Sequence, residues 1–162
     1  MKEMQNCQKG VKLMEEKDIT RILAVSRMTN YCRKAIHYGI SLAEKYNAEL
    51  SVIHVMYNPF TLLNLPMMAF EKERKKEQED VKKELDRIIE REKNKGMIIK
   101  EFIKEGEPAE QIMAVVREEN IDLAILHAHK DTHWDHFLYG YSNDEIIRKI
   151  PCSVLLVRKW NS

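Results

Sequence analysis

The stretch MIIKEFIKEGEPAEQIMAVVREENIDLAIL, residues 97–126, contains the unit that decides the fold. It begins with a β-rich run at 97–103 and ends with IDLAIL at 121–126, which is apolar except for Asp122. Between them, a turn at 106–108 places Pro108 where proline is favoured in the first turn of a helix. Apolar residues then recur at helical spacing. The pattern predicts a strand, a helix and a second strand, which is the unit that builds a parallel sheet.

The same alternation continues towards both ends of the chain. Residues 19–25 (ITRILAV) and 48–57 (AELSVIHVMY) are rich in β-branched and apolar residues, and the helical pattern of 31–46 lies between them. A short helix at 142–150 is followed by Pro151 and by a last apolar strand at 152–157. Five strands and four crossovers predict one doubly wound α/β domain over 19–162, with a parallel sheet and helices on both faces.

One crossover helix is almost entirely charged. In residues 71–95 the apolar residues form a single stripe, while Glu and Lys or Arg alternate elsewhere at helical spacing; the stripe consists of Val81, Leu85, Ile88 and Ile89. Gly96 is a natural C-terminal stop. The pattern predicts a long, solvated helix with a thin buried face.

Composition excludes several classes of protein. The net charge of +1 gives no bulk attraction to nucleic acid, and no apolar run reaches the length of a membrane-spanning helix. Residues 1–18 lack the apolar centre of a signal peptide and are expected to form a polar, flexible tail. Cys7, Cys32 and Cys152 are odd in number and scattered, which favours a reducing compartment. We therefore expect a cytoplasmic protein without nucleic-acid or membrane partners.

Three segments follow one another along the chain: RILAV with AIHYGISLAEKYNAELSVIHV, then KEGEPAEQIMAVVREENIDLAIL, and last EIIRKIPCSVLLVRK. They resemble the first β-α-β unit, the middle and the end of the universal stress protein family. The resemblance covers about residues 19–159. It implies a sheet of order 3-2-1-4-5 and homodimers, often joined through the last strand. In this chain that strand contains Val154, Leu155, Leu156 and Val157.

Many members of that family bind ATP through a glycine motif between the fourth strand and the last helix. The motif is a glycine, two residues, a second glycine, nine residues, and a third glycine followed by Ser or Thr. Aligned on the Pro-Cys pair, the third glycine is Gly140, whereas the first two positions hold His127 and Lys130. Tyr141 follows Gly140, and Ser142 lies one position further. If the chain is aligned to the family in this way, it retains one of the three glycines of the ATP motif.

The other side of the implied pocket has changed as well. The family's Asp after the first strand corresponds to Arg27, with Met28 next, and Val55 belongs to the same implied pocket. A non-glycine residue forced into a left-handed conformation costs about 1–2 kcal/mol. We expect a degraded ATP site and no cofactor. The alternative is that the chain binds ATP or another anionic ligand, with Arg27 and Lys130 as new phosphate contacts. Slow hydrolysis of the bound ATP is compatible with this alternative.

A histidine-rich loop is the second candidate site. His127, His129, His133 and His136 lie in HAHKDTHWDH, where imidazoles and carboxylates at short spacing suit zinc, nickel or copper. The other interpretation is a polar loop whose histidines bond to the backbone. We favour the second interpretation, so these four histidines remain weak metal candidates and no tight site is predicted.

The remaining features indicate interactions rather than catalysis. The apolar segment from Phe60 to Phe70 (FTLLNLPMMAF) either packs on the domain or contacts a protein partner. The chain contains no G-x-S-x-G, P-loop or HExxH motif, and His54 is interpreted as structural rather than as a general base. The sequence predicts a homodimeric stress-response or signalling-associated protein without turnover. The alternative is a small-ligand-binding module.

Overall fold

The computed structural model describes residues 19–26, 32–56, 71–128 and 143–158. In these ranges strands and helices alternate along the chain as the sequence predicts. In chain order the elements are β1 (Arg21–Ser26), α1 (Cys32–Tyr46), β2 (Glu49–Met56), α2 (Glu71–Lys93), β3 (Ile99–Glu105), α3 (Pro108–Glu118), β4 (Leu123–His127), α4 (Asn143–Lys149) and β5 (Ser153–Val157).

The strands form one sheet in the order β3-β2-β1-β4-β5. Each neighbouring pair is parallel, as expected for strands joined by helical crossovers. The order reverses beside β1, because the chain first builds outward through β2 and β3 and then returns to place β4 and β5 on the other side. The predicted order 3-2-1-4-5 and the doubly wound fold are confirmed.

Helices α1 and α2 cover one face of the sheet. Their buried side chains include Ile36 and Ile40 of α1 and Leu85 and Ile89 of α2. Gly39 lets α1 approach the strands closely, since a Cβ at this position would lie 3.0 Å from the Leu50 Cδ1 atom and 3.2 Å from the Ala24 Cβ atom. We call this packed layer the α1/α2 cluster.

Helices α3 and α4 cover the opposite face. Ile112, Val115 and Val116 of α3 and Ile146 of α4 are buried there. They pack against the strand residues that point to this face, which include Leu23, Val25, Ile53 and Leu126. We call this layer the α3/α4 cluster. Because both faces of the central strands are covered, those strands are apolar along nearly their whole length.

Helix α2 is solvated, as its charge pattern predicts. Of its described side chains, Leu85, Ile89 and Glu92 are buried. Lys82 pairs with Asp86 at 3.2 Å. Gly96 has φ 93°, and its N–H donates to the Lys93 carbonyl at 2.9 Å, so glycine ends the helix where the sequence predicts. No helix within the described residues is long and apolar enough to cross a membrane.

Candidate functional site at the carboxyl end of the sheet

In open α/β sheets, ligands bind beyond the carboxyl ends of the strands where the strand order reverses. In this sheet that position lies between β1 and β4. The loops that follow these two strands, 27–31 and 129–142, lie outside the described residues. The described border of the crevice is therefore formed by the last residues of the strands, which include Ser26 and His127.

Three buried polar side chains lie level with one another at this end of the sheet. Ser26 is paired with His54 on β2. The last paired residues of β1 and β4 are Ala24 and Ile125, and counting two residues onward along each strand places Ser26 level with His127. The exposed fractions of Ser26, His54 and His127 are 3%, 6% and 6%. We call these three residues the polar row.

The polar row lies on the face covered by α1 and α2. Side chains alternate between faces along a strand, and the residues two positions earlier, Ala24, Val52 and Ile125, belong to the α1/α2 cluster. The neighbours at either end are apolar, since Ile103 is level with His54 and Val157 is level with His127. The row is thus a polar strip within an apolar layer, and buried polar groups of this kind concentrate at functional sites.

The hydrogen bond of His54 defines its tautomer. Its Nδ1 lies 3.1 Å from the Ser26 carbonyl oxygen, and a carbonyl only accepts, so Nδ1 carries the proton and donates. Burial lowers the pKa of His54 to about 4, although the bond to the carbonyl opposes this shift. At neutral pH the imidazole is therefore uncharged, and Nε2 has a free electron pair.

Two of the predicted pocket residues can be located, and the four predicted interface residues lie on β5. His127 ends β4 and is buried in the polar row. Val55 is half-buried and packs against the α3/α4 cluster, so it lies on the opposite face of β2 from His54. The others lie outside the described residues; they are Arg27, Met28, His129, Lys130, His133, His136, Gly140, Tyr141, Ser142 and the segment from Phe60 to Phe70.

Sequence reasoning did not assign Ser26 and His54 to the site. The available signal was a polar residue at or near the end of an apolar strand, in RILAVS and ELSVIHVM. Only the pairing of β1 with β2 and β4 brings these residues level with His127. In the four described ranges, no group of three or more His, Cys, Asp or Glu side chains is placed to hold a metal ion.

The two edges of the sheet differ in charge. On β3, Lys100, Glu101, Lys104 and Glu105 are charged, and such residues oppose pairing with another strand. On β5, the strand SVLLV is uncharged. Leu156 is 41% exposed, Val154 and Leu155 are half-buried, and Val157 is buried.

At the amino end of the sheet, Asp122 joins β1 to β4. Its Oδ2 accepts from the Thr20 N–H at 3.0 Å, the Thr20 hydroxyl at 2.6 Å and the Arg21 N–H at 3.0 Å. A cavity of about 430 Å³ lies beside it, lined in part by Pro151 and Cys152. Burial raises the pKa of the Cys152 thiol, which disfavours the reactive thiolate. Cys152 is half-buried and packs against the α3/α4 cluster.

The described strands and helices define a doubly wound α/β fold with a candidate crevice at the β1–β4 switch point. The sequence model of the universal stress protein family matches residues 19–158. The chain therefore belongs to the universal stress protein family.

Relatives and solved structures agree with this assignment. Universal stress protein MJ0577 of Methanocaldococcus jannaschii is 31% identical over 90 residues, which are 56% of this chain and 51% of that protein. A universal stress protein of Methanothermobacter thermautotrophicus is 22% identical over 143 residues. The matched residues are 87% of this chain and 97% of that protein. The match to the first relative thus spans about half of that protein's length.

Two solved structures share the fold. The structure of MJ0577 has a TM-score of 0.68 at 20% identity. The matched region is 90% of this chain and 100% of the MJ0577 chain. A universal stress protein family member from Arabidopsis thaliana, with AMP bound, has a TM-score of 0.57 at 13% identity, with coverage of 86% and 92%. At these identities the likeness concerns the fold.

Proposed function

We propose that this universal stress protein is a cytoplasmic homodimer that acts in stress response or signalling through contacts, without enzymatic turnover and with a degraded ATP site. In this proposal no nucleotide is a resident cofactor. The proposal rests on one observation above all, which is the buried imidazole of His127 at the carboxyl end of β4.

His127 occupies the position of the first glycine of the family's ATP motif. A glycine there has no side chain and lets the backbone approach a phosphate or sugar closely. An imidazole that is 6% exposed fills that volume instead. Within the polar row, Ser26 and His54 are also buried, so a group as large as a nucleotide would have to displace packed side chains at this level.

The direct test is calorimetry with Mg-ATP. We expect a dissociation constant no tighter than roughly millimolar, which corresponds to about 4 kcal/mol of standard binding free energy. A micromolar constant would overturn the degraded-site proposal.

A triple variant that restores the family's residues tests which positions weaken ATP binding. Replacing Arg27 with Asp, His127 with Gly and Lys130 with Gly returns the chain to the family's pattern at three positions. We expect this triple variant to bind ATP more tightly than the wild type. A wild type that binds well and a variant that binds less well would instead identify Arg27 and Lys130 as phosphate contacts.

A second candidate function is a binding module for ATP or another small anionic ligand. The observation that favours it is AMP in the Arabidopsis thaliana structure with the same fold. Mass spectrometry of the supernatant of the denatured, freshly purified protein separates the candidates. Stoichiometric nucleotide would support the module, and its absence together with weak ATP binding would support the contact protein.

The homodimer is proposed to form through β5. This strand is last in the sheet order and uncharged, and Leu156 is 41% exposed, so its edge suits pairing with a second copy across a two-fold axis. In this arrangement Val154, Leu155, Leu156 and Val157 lie at the interface.

Light scattering at micromolar concentration tests this arrangement. We expect a dimer for the wild type and a monomer for Leu156→Lys. Lys104→Glu, a charge change on the opposite edge strand, is the matched control and should remain dimeric. A monomeric wild type, or a Leu156→Lys variant that dimerises unchanged, would contradict the β5 interface.

A further inference from the structure

The polar row contains two imidazoles that rise from the same face of the sheet. His54 and His127 lie on β2 and β4, with Ser26 of β1 level between them. Neighbouring strands are about 4.8 Å apart, so the Cα atoms of the two histidines are separated by roughly two such spacings, about 10 Å. A separation of this size leaves space for one small ion between the two side chains, above Ser26.

His54 is oriented as metal-binding histidines usually are. A ligating imidazole commonly donates its second ring N–H to a backbone carbonyl, which fixes the ring and its tautomer. The His54 Nδ1–H donates in this way to the Ser26 carbonyl oxygen at 3.1 Å. Because Nδ1 carries the proton, the electron pair of Nε2 is available for a cation.

We propose that His54 and His127 bind one transition-metal ion at the carboxyl end of the sheet, through Nε2 of His54 and a ring nitrogen of His127, with water completing the coordination. This site differs from the candidate in the histidine-rich loop, because its defining ligand is His54 of β2. It goes beyond the proposed function and does not depend on nucleotide binding.

The donor set selects the kind of ion. Imidazole nitrogen suits zinc, copper, nickel and cobalt, whereas magnesium and calcium prefer oxygen ligands. The polar row supplies two imidazoles and one hydroxyl but no carboxylate. With two protein ligands and no compensating negative charge in the row, we expect micromolar rather than nanomolar affinity for a divalent ion.

The experiment uses the full chain, stripped of metal with a chelator and titrated with Co²⁺. We expect one Co²⁺ per chain, with visible absorption bands that Zn²⁺ displaces. His54→Gln and His127→Gln should each weaken binding at least tenfold. His37→Gln, which replaces an exposed histidine of α1, is the matched control and should leave the affinity unchanged.

A double variant of the loop distinguishes the two possible sites. His133→Ala with His136→Ala should retain the Co²⁺ affinity of the wild type. Loss of binding in this double variant, with binding retained in His54→Gln, would overturn the proposal in favour of the loop. An absence of saturable binding below millimolar Co²⁺ would overturn it altogether.

A spectroscopic readout keeps the proposal testable if His54→Gln does not fold. In the wild type, the imidazole ¹⁵N signal assigned to Nε2 of His54 should shift on addition of Zn²⁺, and Mg²⁺ should not shift it. An Nε2 signal that stays unchanged while Zn²⁺ binds elsewhere would overturn the assignment. Calorimetry with ATP is independent of all these outcomes, so failure of the ATP proposal and failure of the metal proposal are distinguishable.

Discussion

The amino and carboxyl ends of the sheet are built from different chemistry. At the amino end, the Asp122 carboxylate accepts hydrogen bonds from Thr20 and Arg21. At the carboxyl end, Ser26, His54 and His127 are buried and include no carboxylate or ammonium group. The hydrogen bonds of Asp122 connect the beginnings of β1 and β4. The three side chains at the carboxyl end instead lie where ligands bind in an α/β fold.

The amino end also has a network of exposed ion pairs. Glu49 lies 4.0 Å from Arg21 and 3.8 Å from Lys100, and Lys100 is 2.6 Å from Glu119. Exposed pairs of this kind contribute little each, because water and salt screen them. Asp122 differs from these pairs because its carboxylate accepts hydrogen bonds from backbone N–H groups. We therefore expect Asp122 to contribute most of the stabilisation at this end of the sheet. Substitutions there should change stability and leave ligand binding alone.

The largest effect is expected for Asp122→Ala. This change removes the acceptor of three hydrogen bonds, and we expect the free energy of unfolding to fall by about 3 kcal/mol. Asp122→Asn retains an oxygen acceptor and should lose less. Urea denaturation measures both, and Co²⁺ affinity should stay at the wild-type value in each. A loss in stability below about 0.5 kcal/mol would remove the distinction between the two ends.

At the carboxyl end, His54→Ala should cost about 2 kcal/mol of unfolding free energy, because it removes the bond to the Ser26 carbonyl and leaves a small cavity. Unlike the changes at Asp122, it should also abolish Co²⁺ binding. His37→Ala, at an exposed position on α1, should stay within about 0.5 kcal/mol of the wild type. Equal stability of the two alanine variants would contradict a structural contribution from His54.

Glu92, near the amino end, gives a pH-dependent effect. Its hydrogen bond from Lys95, at 2.6 Å, holds the pKa of the carboxyl below its ordinary value. The folded state therefore binds this proton less readily than the unfolded state, so the contribution is present above the ordinary carboxyl pKa and lost as the pH falls. In urea denaturation, the difference between wild type and Glu92→Gln should shrink from about pH 7 to about pH 3. A constant difference would contradict this origin.

The smallest effect is expected for Lys100→Met, which breaks the exposed pairs with Glu119 and Glu49. We expect the free energy of unfolding to change by about 0.5 kcal/mol, and less at high salt. Denaturation at low and high salt measures it. A loss as large as that of Asp122→Ala would mean that charge pairs, rather than the backbone contacts of Asp122, hold the amino end.

Local sequence patterns determined the elements of this fold and their order. The alternation of apolar strands with amphipathic helices placed β3, α3 and β4 within a few residues of their observed bounds, because periodicity reflects which face of each element is buried. Gly96 marked the end of α2 for a similarly local reason, since its φ of 93° suits glycine. The sheet order came from the family resemblance and is confirmed. Boundaries shifted at β5, which begins at Ser153, one residue later than predicted.

The site was determined only in part by the sequence. The glycine motif, read through the family resemblance, identified His127 as a changed position, and the structure places it at the carboxyl end of β4. Nothing in the sequence indicated that His54 and Ser26 lie level with it, since His127 is 73 residues beyond His54 along the chain (127 − 54). That level arrangement depends on the register between strands distant in sequence, and the packing of both helix layers fixes that register. Local patterns therefore set the elements, and tertiary packing decided which polar side chains meet.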